Sequence, residues 1–318
     1  MKKTALLFLI AWSMCFLSSC DHVTNPYPPQ VPLELDSTLY PGNWDDYVAN
    51  EWPTFTANTN VDRNILIEDY TGHKCIFCPA AADLAHQLEL SHEGRIFVAS
   101  MHVGPLGIGD FQTVSAPEYP VDFTNPQCVE IGTYFGANDG GFSGNPRGTI
   151  NRFLTGGNIF QSPNAWTSMV NTMLAENTLK VNMQSALNYY PQTHGAFLHV
   201  EVDKLDASLT NELGIVAYIL EDSLVGDQKM SDNSHNTSYI HRDIHRGNLN
   251  AQAFGRVLDV ADMQNGKYYV NYSFVLPNQL DNTYHAENMH VLIYVYDRST
   301  WEIYQVIRQN IIPSFDIF

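Results

Sequence analysis

Two cysteines separated by two residues stand where the sequence changes from an apolar strand to a helix. In residues 67–79, IEDYTGHKCIFCP, the strand ends in a polar turn, and Cys75 and Cys78 follow. The backbone N–H groups at a helix start and the positive end of its dipole stabilise a thiolate. We therefore predict that Cys75, nearer the exposed end, is the nucleophile of a thiol–disulfide exchange and that Cys78 resolves the mixed disulfide.

Two other uses of the cysteine pair stay open. A zinc or copper site would need further ligands, for which His73 and Cys128 are candidates, and the chain has no second CxxC. The metal site is the weaker interpretation, so the sequence predicts neither a metal nor a cofactor. A passive disulfide would close a loop so small that it would restrict the unfolded chain only slightly. Redox chemistry is favoured over both.

The start of the chain predicts its compartment. The residues MKK precede an apolar run that is too short to span a membrane and has the charge and length of a secretory signal. The run ends in LSSC, where small residues before a cysteine resemble a bacterial lipobox. We expect residues 1–19 to be a signal peptide and Cys20 to carry lipid. Residues 20–58 would then be a proline-rich tether to the membrane.

The charge of the chain limits its partners. There are 16 Lys and Arg against 34 Asp and Glu, a formal net charge of −18. Nucleic acid is excluded as a partner, because binding it requires Lys and Arg to neutralise phosphates. The five cysteines become three once the signal is removed and Cys20 is lipidated. Three thiols are too few for a disulfide scaffold, so the core must come from apolar burial.

The hydrophobic pattern divides the chain near residue 177. Before it, apolar strands alternate with helices predicted at 75–90, 126–135 and 163–176. Two strands joined by a helix pair in parallel, so residues 59–177 are predicted to be an α/β domain. From 178 to 318 apolar and polar residues alternate with period two, which predicts an antiparallel, Ig-like β-sandwich.

The order strand, CxxC, helix, strand, proline, strand and helix resembles a thioredoxin fold over residues 59–177. The resemblance implies that Asp69, six residues before the first cysteine, is the buried acid that assists deprotonation, with a pKa raised by burial. In SGNPRGTINRF, it implies that Pro146 is a cis-proline facing the CxxC. The backbone of Asn145 would then bind an extended substrate segment. Alternatively, Asp69 and Glu68 are ordinary acids at a strand end.

A longer pattern is more specific. ILIEDYTGHKCIFCPAA is followed by GNPRGTINR, with a lipobox in front and a β domain behind. This pattern resembles the outer-membrane-protein-28 family of envelope lipoproteins from Bacteroidetes. The resemblance implies a lipid-anchored protein of the cell envelope, in the outer membrane. It says more about fold and location than about activity.

Three functions follow from these observations. The leading prediction is a thiol–disulfide oxidoreductase, anchored by lipid, that acts on envelope proteins with thiols or disulfides. The alternative is a non-catalytic lipoprotein whose β-sandwich binds a partner or ligand and whose disulfide is passive. The third is copper or zinc handling through Cys75, Cys78 and His73.

Three residues outside the CxxC region are weaker candidates. Cys128 lies in a long irregular stretch that could cover the active site or decorate an edge. We expect it to be a small buried hydrophobe, with a redox relay as the less favoured role. His241 and His245 are four residues apart in YIHRDIHR, but among strands we interpret them as a loop or strand edge without metal.

Overall fold

The computed structural model describes residues 35–103, 109–137, 142–278 and 282–312. The predicted signal peptide and Cys20 lie outside these ranges. Four α-helices are described: α1 Trp44–Asn50, α2 Cys78–Ser91, α3 Pro126–Ala137 and α4 Pro163–Glu176. None of them is long and apolar enough to span a membrane. Helices α2, α3 and α4 are the three that the sequence predicts, although α2 begins three residues later than expected.

Fourteen strands accompany these helices. The strands of the first half are β1 Ile65–Thr71, β2 Ile96–His102 and β3 Arg147–Ile150. The longer strands of the second half are β4 Val181–Tyr190, β5 Gly195–Lys204, β6 Leu213–Glu221, β7 Leu224–Lys229, β8 His235–His241 and β9 Ile244–Asn248. The remaining strands are β10 Arg256–Val257, β11 Met263–Gln264, β12 Lys267–Val275, β13 Met289–Asp297 and β14 Ile303–Asn310.

One mixed sheet contains strands from both halves of the described chain. Its strand order is β14-β13-β6-β9-β2-β1-β3, and β10 pairs separately with β6. Strand β1 pairs in parallel with β2, as the βαβ pattern predicts, and β2 pairs in parallel with β9. The other pairs in this sheet are antiparallel. Strands from both sides of residue 177 therefore share one sheet, and a domain boundary there stays a prediction.

The second half also contains a separate antiparallel sheet with the order β11-β12-β5-β4. Its apolar face packs on β6 and β13 of the mixed sheet, and together they bury a core of aliphatic and aromatic side chains. Every residue of β6 and β13 is buried, which is typical of strands covered on both faces. The mixed α/β sheet and the antiparallel sheet confirm the coarse fold class.

Helices α2 and α4 cover one face of the first three strands. Ile65 and Ile67 of β1 pack there against Ala81 and Ala85 of α2, in a cluster that also contains Trp166 of α4. Side chains alternate between the two faces of a strand. The other odd-numbered residues of β1 therefore face α2, and the even-numbered residues face away from it.

The chain before β1 packs across the four-stranded sheet from residue 36 onward. The backbone N–H of Asp36 donates to Ser273 Oγ, and Asn58 Nδ2 donates to the carbonyl of Met183. Tyr47 of α1 is fully buried, and its hydroxyl lies 2.5 Å from His199 Nε2. The part of the predicted tether that is described is thus folded onto the protein.

Candidate functional site

The two cysteines of the CxxC form a disulfide at the start of α2. Cys75 lies in the turn that follows β1, and Cys78 is the first residue of the helix. Phe77 occupies the N-cap position, and Pro79 follows in the first turn, where the missing N–H breaks no helical bond. The helix start therefore lies at Cys78 rather than at Cys75.

Both cysteines are buried. Cys75 is 2% exposed and Cys78 is 1% exposed, so neither side chain lies at the surface, and the order of reactivity predicted for the two cysteines stays a prediction. The hairpin of β7 and β8 covers them: Gln228 Nε2 donates to the carbonyl of Cys75 at 3.2 Å. The backbone N–H of Lys229 donates to the carbonyl of His73 at 2.7 Å. The second half of the chain thus contributes to the site, which the period-two pattern of these strands did not indicate.

The irregular stretch after β2 forms part of the same cover. The N–H of Lys74 donates to the carbonyl of Phe111 at 3.1 Å. The ring of His73 stacks on Tyr119 with centroids 5.4 Å apart and meets Phe123 edge-on at 6.0 Å. Of the two roles predicted for this stretch, covering the site is the one that its contacts show.

Asp69 lies on the α2 side of β1. It is fully buried, and neither carboxylate oxygen has a hydrogen-bond partner among the described residues. Burial raises its pKa to about 8. In the strand register Asp69 stands beside Ser100, just as Thr71 stands beside His102. Asp69 is therefore not an ordinary acid at an exposed strand end.

Glu68 lies on the opposite face of β1 and is held by an ion pair. Arg152 donates from Nε and Nη2 to its two oxygens at 2.8 and 2.6 Å, and Thr149 and Tyr218 also donate. Burial alone would raise the pKa of Glu68, but the guanidinium and these hydrogen bonds lower it. The sequence pattern does not point to Arg152, because a single arginine after a strand carries no signal of burial.

The proline loop lies beside the end of β1. The Asn145–Pro146 peptide bond is cis, as expected. Asn145 Nδ2 donates to the carbonyl of Thr71 at 2.8 Å, and Arg147 stands beside Tyr70 in the antiparallel register. The loop therefore flanks the turn that leads to Cys75.

A cleft of about 320 Å³ opens next to the disulfide. Its floor comes from β1 and β2 and includes Ser100 and His102. One wall is the first part of α2, with Cys78 and Ala82, and the other wall is β8 and the residues after it, with His241. Because Asp69 stands beside Ser100 on the same sheet face, its carboxyl group lies next to the cleft floor.

Two buried histidines, His102 and His241, line this cleft. The rings of His102 and His241 are 5.7 Å apart. Burial lowers the pKa of His73 and His102, and it lowers that of His241 to about 4. His245, in contrast, lies in β9 and contacts Tyr218 and Asn248. Within the described ranges no group of three His, Cys, Asp or Glu side chains could hold a metal ion.

Cys128 is a buried free cysteine of α3, as expected for a small hydrophobe. Burial raises its pKa, and the charge of Glu68 adds to this effect. Phe135 of the same helix packs against Arg152, the partner of Glu68, at 5.3 Å, so α3 lies on the side of β1 opposite α2. The sheet therefore lies between Cys128 and the disulfide.

A family model described as outer membrane protein Omp28 matches residues 137–314, which is more than half of the chain. The chain belongs to the Omp28 family. This membership agrees with the resemblance seen in the sequence and places the protein in a family of outer membrane proteins. The matched region includes the proline loop and the four-stranded sheet but begins after the CxxC.

Two solved structures from Porphyromonas gingivalis are similar to parts of this chain. HBP35 of Porphyromonas gingivalis superposes with a TM-score of 0.58 at 16% identity, over 78% of this chain and 75% of that one. A domain of the outer membrane lipoprotein Omp28 from Porphyromonas gingivalis is 21% identical, with a TM-score of 0.30 over 41% of this chain and 86% of that one. No curated protein matches the sequence.

Proposed function

We propose that this Omp28-family protein is a lipid-anchored thiol–disulfide oxidoreductase of the outer membrane, with a thioredoxin-like site at Cys75 and Cys78. The observation that carries the proposal is the unpartnered, buried carboxyl group of Asp69 on the face of β1 that α2 covers. A buried acid without a partner destabilises the fold, so its presence beside a disulfide indicates chemistry rather than structure.

Asp69 would act as the proton acceptor of the reduced pair. Strand β1 leads into the turn before α2, so its last residues lie near the first turn of the helix, where Cys78 is. A pKa of about 8 is close to the roughly 8.5 of an unperturbed thiol, so a proton can pass between the two groups at little cost. The helix N-terminus would stabilise the resulting thiolate.

The proline loop and the lipid complete the proposal. Pro146 would shape the edge beside the turn, and the backbone of Asn145 would bind a substrate segment there, as in the thioredoxin resemblance. Envelope proteins with thiols or disulfides are the substrates that the sequence predicts. Lipid on Cys20 would hold the protein at the membrane.

The reduction potential of the Cys75–Cys78 pair tests the proposal. Purified protein is equilibrated with glutathione buffers, and the reduced fraction is read by alkylation and mass spectrometry. A working pair should have a potential between about −300 and −120 mV, the range of pairs that cycle. Cys128→Ala is the control and should leave the potential unchanged. A potential below about −300 mV would contradict the redox function.

The burial of both cysteines favours a second candidate, a scaffold with a passive disulfide. The hairpin of β7 and β8 covers the backbone of Cys75, and neither cysteine is more than 2% exposed. In that case a partner would bind to the predicted β-sandwich. This corresponds to the four-stranded sheet packed on β6 and β13. The same potential measurement separates the two, because a structural disulfide resists reduction.

A further inference from the structure

Within the described part of the chain, the cleft beside α2 reaches the disulfide. Cys78 lines this cleft together with Ala82 of the next helical turn. Cys75 lies under the hairpin of β7 and β8, where Gln228 contacts its carbonyl. An approaching sulfur atom therefore meets Cys78 first.

The size of the cleft limits what can approach. About 320 Å³ is near the lower end of the roughly 300–1,000 Å³ of clefts that hold small ligands. A folded protein would need the disulfide at the surface, since exchange requires the three sulfur atoms to meet. With Cys75 2% and Cys78 1% exposed, only a small molecule fits this access without movement of the hairpin.

The lining of the cleft is polar and carries both signs of charge. Ser100 and His102 on the floor and Ser238 on the wall offer hydrogen-bonding groups. Asp83 lies on the α2 wall, and Arg242, which forms an ion pair with Asp222 at 3.6 Å, lies on the opposite wall beside Asp243. A ligand with one ammonium and one carboxylate group would match these charges, the ammonium at Asp83 and the carboxylate at Arg242.

We infer that the cleft binds one half of a low-molecular-weight aminothiol disulfide, such as cystine or oxidised glutathione, and that Cys78 is the cysteine that exchanges with it. This inference rests on the proposed redox function and narrows its substrates from envelope proteins to small molecules. It also exchanges the roles that the sequence predicts for the two cysteines.

In the reaction one protein dithiol reduces one small disulfide, and the two protons released by Cys78, through Asp69, and by Cys75 are taken up by the two small thiolates that leave. In the reduced protein, the Cys78 thiolate attacks one sulfur of the small disulfide, its own proton having passed to Asp69. A Cys78–ligand mixed disulfide forms and one small thiolate leaves, which takes a proton. The Cys75 thiolate then attacks Cys78 Sγ, the protein disulfide forms, and the second small thiol leaves. One small disulfide is reduced to two thiols, and the protein dithiol is oxidised.

The test narrows the cleft without touching the reacting groups. Ala82→Phe projects into the cleft from α2, and Ala80→Phe, two residues away on the exposed side of the same helix, is the matched control. Reduced protein is mixed with cystine, oxidised glutathione or insulin, and the second-order rate of oxidation is measured. Ala82→Phe should slow cystine and oxidised glutathione at least tenfold. Ala80→Phe should match the unmodified protein.

Ser238→Trp, from the opposite wall, gives the same test if Ala82→Phe does not fold. Equal rates in all variants, or oxidation by insulin faster than by the small disulfides, would overturn the inference. The reduction potential of the unmodified protein is measured in parallel. A potential too low for cycling would refute the redox function itself, whereas a working potential with unchanged rates would refute only the small substrate.

Single-cysteine variants test the order of attack. With cystine, Cys75→Ser should form a mixed disulfide at Cys78, identified by the mass of its peptide. Cys78→Ser, whose remaining thiol lies under the hairpin, should react at least tenfold more slowly. The reverse preference would assign the first attack to Cys75 and overturn the assignment.

Discussion

Glu68 and Asp69 are neighbours in β1, and both are fully buried. The two faces of the strand nevertheless shift the pKa values of these two acids in opposite directions. On the face opposite α2, Arg152 and two further donors, Thr149 and Tyr218, hold Glu68 ionised. On the α2 face, Asp69 has no hydrogen-bond partner among the described residues, and burial raises its pKa. The buried charge on one face joins strands, whereas on the other face the carboxyl group of Asp69 stays largely protonated at pH 7.

The difference suggests separate roles for two neighbouring residues of one strand: Glu68 holds the sheet together, and Asp69 belongs to the candidate site. The Glu68 network joins β1 to Tyr218 of β6 and Tyr294 of β13 through Arg152, so it connects the two halves of the mixed sheet. Asp69 makes no such link to any part of the chain that the structure describes, and it destabilises the fold when ionised. Natural proteins depart from favourable burial mainly at functional sites, which is why the α2 face is the candidate site.

The largest expected loss of stability comes from removing the ion pair between Glu68 and Arg152. Arg152→Leu leaves Glu68 buried without its countercharge and should lower the free energy of unfolding by about 3–5 kcal/mol. Urea unfolding at pH 7 measures it. The double variant Glu68→Gln/Arg152→Leu is the control and should recover a large part of the loss. A loss of less than about 1 kcal/mol for the single variant would show that the pair is not the joint between the halves.

Removing the acid of the other face should stabilise the protein. Between pH 3.8 and about 8, folded Asp69 keeps a proton that the unfolded chain has lost, so the free energy of unfolding falls as pH rises. Asp69→Asn removes this loss. Its free energy of unfolding at pH 8 should exceed that of the unmodified protein by at least about 2 kcal/mol. Below pH 3.8 the two should agree, because Asp69 is then protonated in both states. Equal pH profiles would mean that Asp69 is not buried as described.

The histidines at the cleft should give the opposite slope in an acidic window. Folded His241 has a pKa of about 4 against the ordinary 6.5, so the unfolded chain binds more protons between these values. Stability contributed by neutral His241 is complete above pH 6.5 and is lost as pH falls towards 4. His241→Asn should reduce the loss between pH 6.5 and 4.5 by about 1 kcal/mol, measured by thermal unfolding. An unchanged slope would contradict burial of His241 at the cleft.

The smallest effect is expected at Cys128, on the same side of β1 as Glu68. Cys128→Ala should cost about 1 kcal/mol of stability from lost packing and leave the reduction potential of the cysteine pair unchanged. A shift of the potential by more than about 30 mV, or slower oxidation by cystine, would show that the sheet does not insulate this thiol.

The sequence alone was sufficient to predict those features that depend on a short run of neighbouring residues. The CxxC after an apolar strand, the helix that follows it and the proline before β3 are contiguous patterns, and the cis bond at Asn145–Pro146 agrees with them. The Omp28 resemblance is also local, since it rests on short runs of residues. Helix periodicity located α2, α3 and α4 because each has one apolar face.

The sequence could not show which distant segments meet. Strands β6, β9, β13 and β14 join the sheet of β1 rather than forming a sheet of their own, and nothing in a period-two pattern specifies a partner strand. The hairpin of β7 and β8 lies more than 140 residues after the cysteines, yet it covers them. Burial of Cys75 therefore depends on long-range packing.

The sequence by itself determined the family, the cysteine pair and the strand that places an acid six residues before it. Only the tertiary structure decided that Glu68 is paired, that Asp69 is not, and that Cys78 rather than Cys75 lines a cleft. The reason is physical: residue types and spacing set local chemistry, but burial, charge compensation and access depend on which distant surfaces pack together.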